Sequence, residues 1–138
     1  MTSFDETRDA DAHFAQGFEF QVSEPKKAIA SYQKALTLYE ALAKADPTVP
    51  EYQSNLANTH DILGDLFGED RSLEAEESYQ EALTIREALT KAHPTVPEYQ
   101  SNLANTHENL GFFLGATGRT EEAKVSFQDA EAIRAKIR

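Results

Sequence analysis

The fourteen residues PTVPEYQSNLANTH stand at Pro47–His60 and, unchanged, at Pro94–His107, an offset of 47. The likeness runs further: residues 28–67 and 75–114, aligned at that offset, share 28 of 40 positions. A repeat of this period means supersecondary units that bury their apolar faces on one another, because no single unit can close a core alone. His13, His60 and His107 fall in register, as do Gly17, Gly64 and Gly111, so a third unit precedes the two obvious ones. The units run over about residues 3–46, 47–93 and 94–138. With no linker long enough to divide the chain, residues 1–138 are expected to form a single domain.

Within each unit the apolar residues follow a helical rhythm. Tyr52, Leu56, Thr59, Leu63 and Leu66 fall on one face between Pro50 and Phe67. Ala75, Tyr79, Ala82, Leu83, Arg86 and Leu89 form a stripe over Ser72–Ala92, and Ala28, Tyr32, Ala35, Leu36, Tyr39 and Leu42 one over Pro25–Ala45. Asp46-Pro47 and His93-Pro94 stop these longer helices, since a residue before proline is pushed out of the α region. Thr48 with Glu51, and Thr95 with Glu98, have capping-box spacing, with a proline in the first turn. Ser3–Glu6 has the same spacing, opening a helix that runs to about Gln21. Gly68 and Gly115 are expected to end the shorter helices, and a last helix runs from Thr120 to Arg138. Almost nothing favours strands, so the expected fold is all-α: six helices in three antiparallel hairpins.

Charge narrows the function classes. The chain has 24 acidic and 13 basic residues, a net charge of −11, which repels nucleic acid and anionic lipid. It has no cysteine, no run of about 18 apolar residues and no apolar leader, so a cytoplasmic chain with no membrane contact is expected.

Leu110-Gly111, Gly118-Arg119, Glu122-Ala123, Phe127 and Ala130 have the spacing of a tetratricopeptide repeat. Leu63-Gly64, Ala75, Tyr79 and Ala82 match it with one turn residue fewer, and Ala28, Tyr32 and Ala35 match its second half. The chain thus resembles the tetratricopeptide repeat family over almost its whole length. The period of 47 exceeds that family's usual value of about 34, so both helices of each unit must be longer. In this it is similar to the long-repeat type of kinesin light chains and of bacterial arrays, as are the segments HPTVPEYQSNLANTH and EALTIREAL. The resemblance implies a right-handed α-solenoid whose first helices line a concave groove for peptides or protein segments. The in-helix glycines then serve as smooth spots for close helix packing.

On that groove face the sequence places Asn55, Asn58, Asp61, Ile62 and Asp65 in the middle unit. Asn102, Asn105, Glu108, Asn109 and Phe112 follow in the last unit, and Phe14 and Phe18, with Asp11 beside them, in the first. Asparagine is a mediocre helix former, so its recurrence on neighbouring helices suits an amide ladder that holds an extended peptide backbone. The first helices of the second and third units lack Lys and Arg, which argues against capture of a peptide's terminal carboxylate. Asp61, Asp65 and Glu108 instead favour a basic or amphipathic partner.

The recurring histidines read as packing residues, because helix axes about 9–10 Å apart hold imidazoles too far apart to share an ion. No nucleophile, phosphate loop or metal motif stands out, and neither enzymatic activity nor a cofactor is expected. The second reading is a self-assembling structural module, in which the faces that stack within the chain stack between copies.

Overall fold

The computed structural model describes residues 3–138, apart from the side chains of Ser3 and Phe4. The described residues form six α-helices and no strand: α1 (Ser3–Phe20), α2 (Pro25–Ala45), α3 (Pro50–Phe67), α4 (Ser72–Ala92), α5 (Pro97–Ala116) and α6 (Thr120–Ile137). Each helix packs against its neighbours in sequence, and α3 also touches α5. That last contact brings the two asparagine-bearing helices together.

Proline starts α2, α3 and α5, where its missing N–H costs nothing. Asp46 and His93 leave the helical region ahead of the next proline, each still donating its N–H to a leucine carbonyl, Leu42 and Leu89 respectively. The threonine capping boxes do not form. Val49 and Val96 occupy the cap positions in extended backbone, and no side chain bonds the helix ends. Thr48 turns back instead, its backbone N–H and hydroxyl both donating to Asp46 Oδ1, at 3.2 and 2.6 Å. The box read at Ser3–Glu6 involves a side chain outside the described ones.

Gly68 ends α3 with φ of +53°, a conformation glycine adopts without strain. Gly115 does not play that part: α5 continues through it to Ala116, and Gly118 takes the positive φ, +85°. The extra turn residue moves the glycine needed for chain reversal past the end of the helix.

One apolar seam runs the length of the molecule, from Ala28 and Tyr32 through Leu63, Phe67, Ala75 and Tyr79 to Leu110, Phe113 and Ala123. A second cluster of Ala10, Ala35, Tyr39, Leu42, Ala43 and Leu56 joins α1, α2 and α3. The in-register glycines each lie under an aromatic ring. A Cβ at Gly17, Gly64 or Gly111 would approach Tyr32, Tyr79 or Phe127 to 2.8, 2.7 and 2.8 Å. Those distances are shorter than van der Waals contact, so glycine sets how closely the two helices of each pair approach. Among the described residues no helix is long and apolar enough to cross a membrane.

Candidate functional site

Equivalent positions in the three units make the site readable row by row. Arg8, Asn55 and Asn102 form one row; Asp11, Asn58 and Asn105 a second; Phe18, Asp65 and Phe112 a third. Two hollows between α3 and α5 collect most of these residues.

The first hollow, about 230 Å³, is lined by Ser54, Asn55, Asn58, Arg86, Glu98 and Asn102, an almost wholly polar wall. Helical spacing puts Asn55 and Asn58 on one face of α3, and Asn102 enters from α5. The second hollow, about 290 Å³, has Asp65, Glu69, Asn109 and Phe112 around its mouth and Tyr79 and Phe113 beneath. Phe112 is 63% exposed, its ring edge-on to Phe127 at 5.1 Å. Asp65 is exposed as a residue, but its carboxylate accepts the Tyr79 hydroxyl. Partial burial raises the Asp65 pKa above the ordinary value, against that hydrogen bond. Burial, then the hydrogen bond to Asp65, pushes the Tyr79 phenol far up.

Other predicted groove residues lie elsewhere or are already engaged. Asp61 is a correction: it is buried, with a side chain 10% exposed. Its Oδ2 accepts Arg86 Nε at 3.2 Å, Arg86 Nη2 at 3.0 Å and the Thr106 hydroxyl at 2.7 Å. Oδ1 is buried with no protein donor. Desolvation raises the Asp61 pKa in spite of Arg86 and Thr106. It cannot offer a free carboxylate to a peptide, because α4 supplies its cation and α5 its cover.

Glu108 and Asn105 are held in a similar way from α6. Arg134 donates to Glu108 Oε2 at 2.7 Å and to Asn105 Oδ1 at 2.9 Å. Phe14 packs on both apolar clusters and meets Tyr32 edge-on at 5.2 Å, so it belongs to the core rather than the groove. Ile62 is half-buried against the same core. Phe18 stays open, 67% exposed, while Asp11 accepts the Tyr39 hydroxyl at 2.5 Å.

Sequence reasoning missed Arg86 and Arg134 as partners of the groove-face acids. A signal was present. Arg86 interrupts an otherwise apolar stripe, and Arg134 falls on it at an offset of 48, the period plus the extra turn residue. Also missed was Arg119, which joins units by donating to Glu76 at 2.6 Å while pairing with Glu122.

The histidines lie among packed side chains. His60 is half-buried and its pKa is lowered by desolvation, against the pull of Glu81. His13 Nδ1 is buried without a hydrogen-bond partner, and His107 Nδ1 lies 3.9 Å from Asp129 Oδ2. Among the described residues no three His, Cys, Asp or Glu side chains converge closely enough to hold a metal ion. A larger hollow of about 390 Å³ opens between Pro47–Pro50 and the end of α4, away from the asparagines. No family model and no curated protein matches this chain.

Proposed function

We propose that the chain is a protein-interaction scaffold of the tetratricopeptide type: a right-handed solenoid of three antiparallel helix pairs that holds an extended peptide between α3 and α5. One observation carries the reading. Asn55, Asn58 and Asn102, from two helices, line a single polar hollow. Each amide both donates and accepts, so the trio suits a peptide backbone irrespective of its side chains. Next along the groove, Asp65, Glu69 and Phe112 give a basic or amphipathic side chain an acidic, aromatic place to lie. The net charge of −11 favours the same partner and opposes nucleic acid. In this reading the protein works in the cytoplasm, and needs no cofactor and performs no catalysis.

The test is selection from a displayed peptide library, repeated on a variant carrying Asn55→Ala and Asn102→Ala. Loss of two amide contacts should weaken selected peptides at least about tenfold. Affinity should also fall between about 50 and about 300 mM salt. Peptides that bind the variant equally well, or ignore salt, contradict the reading. Self-assembly is the second reading. It draws on the exposed Phe18 and Phe112 rings, and light scattering over a range of concentrations distinguishes it.

A further inference from the structure

We propose that the end of the molecule formed by α5 and α6 is a seat for one more helix, a partner with the pattern that α5 itself carries, Leu-x-x-Thr-x-x-x-Leu. The chain contains the precedent. Leu103, Thr106 and Leu110 of α5 are buried, and the Thr106 hydroxyl donates a hydrogen bond to the carboxylate of the Asp61–Arg86 pair. The end face repeats that pair as Glu108–Arg134, with Nη1 to Oε2 at 2.7 Å. Arg86 and Asp61 side chains are 7% and 10% exposed, whereas Arg134 and Glu108 are 30% and 38% exposed. The ion pair is assembled but uncovered. Two turns before Arg134 on α6, Phe127, which takes the place of the buried Tyr79, is 36% exposed.

The opposite end shows what does not fit. Where α5 has Leu103, Thr106 and Leu110, the in-register residues of α1 are Asp9, Ala12 and Gln16. A second copy stacking head to tail would present to Phe127 the carboxylate of Glu19, in register with the Phe113 that meets Tyr79, and would offer no hydroxyl to Glu108. The charges of the end pair already balance, so a neutral hydroxyl donor flanked by leucines completes it better than another ion would.

The experiment titrates the full chain with a synthetic peptide of residues 94–116, followed by NMR of the Glu108 carboxylate, Phe127 and the Arg134 guanidinium. Saturable shifts at those three residues are expected, with a Thr106→Val peptide about tenfold weaker. No shift at millimolar peptide, or equal binding of the valine peptide, overturns the proposal. So does self-association of the chain alone through Phe127. A second route removes dependence on the peptide's own helicity: residues 91–138 are appended after Arg138, which aligns with Thr90 at the longer offset. The Arg134 Nη1 protons should then exchange with solvent at least about tenfold more slowly, because cover restricts opening. An unchanged rate overturns the proposal.

Discussion

Thr59 and Thr106 lie in identical fourteen-residue segments and are both fully buried, yet they do different work. Thr59 donates only to the Asn55 carbonyl of its own helix, at 2.7 Å. Thr106 reaches across to the Asp61 carboxylate at the same distance, with a longer bond to the Asn102 carbonyl of 3.3 Å. The cause lies one unit earlier: the position equivalent to Asp61 is Phe14, so Thr59 faces a unit with no acid to complete. The asparagines diverge likewise. Asn105 is tied by Arg134, while Asn58 lines the open polar hollow. Identical residues acquire roles from the helix that covers them and the one that reaches up from below.

The largest break in the comparison should come from the arginines. Arg86→Met leaves the Asp61 charge buried and unpaired, at a cost of about 3–5 kcal/mol. Arg134→Met removes a partly exposed pair and should cost less than about 1 kcal/mol. Denaturant unfolding of the two variants checks this, and equal losses would show that the middle pair is not sealed. Replacing both Asp61 and Arg86, as Asp61→Leu with Arg86→Met, should restore much of the loss.

The glycines sharpen the contrast next. Gly64→Ala sets a Cβ against Tyr79, whose ring is buried and whose hydroxyl is bonded to Asp65, so the strain should cost about 1–3 kcal/mol. Gly111→Ala meets Phe127, a partly exposed ring free to swing outward, and better helix propensity offsets most of the strain. Its melting temperature should stay within a few degrees of the parent.

Third come the two threonines. Thr106→Val deletes a hydrogen bond to a buried carboxylate and should cost about 1.5–3 kcal/mol. Thr59→Val, which loses only a bond to a carbonyl already in its helix, should change stability by less than about 0.5 kcal/mol.

The smallest effect is the pH dependence of His60. Its pKa is lower in the folded chain than in the unfolded one, so its contribution is complete above the unfolded pKa. That contribution is lost as pH falls through the folded value, because the unfolded chain takes up the proton more readily. His60→Gln should therefore flatten the decline in stability between about pH 7 and about pH 5. An unaltered slope would place the responsible group elsewhere.

The helices were legible in the sequence almost to the residue. Prolines and glycines punctuate them, and their apolar stripes are regular over four or five turns. The close approach of helices at Gly64 was expected from the family resemblance, whereas the Tyr79 ring that lies over it was not legible in the sequence. The threonine caps failed because Pro50 and Pro97 already define the first turns, leaving valine at the cap positions. For the candidate site, periodicity gives the face on which a residue lies but not what packs over that face. Asn55, Asn58, Asn102, Asp65, Asn109 and Phe112 line the two hollows between α3 and α5. Asp61 was placed on the same face by the same arithmetic and is buried, because its fate depends on Arg86 and Thr106, 25 and 45 residues away.

Solvent exchange of the Arg86 and Arg134 Nη protons, read in one NMR spectrum of the unmodified chain, tests this dependence on cover most directly. Both guanidinium groups donate to a carboxylate through an Nη group, Arg86 Nη2 to Asp61 and Arg134 Nη1 to Glu108, so pairing alone does not separate them. The expected result is a persistent, slowly exchanging Arg86 signal beside an Arg134 signal that exchanges far faster. Equal rates would contradict the claim that the covering helix decides what each repeated residue does.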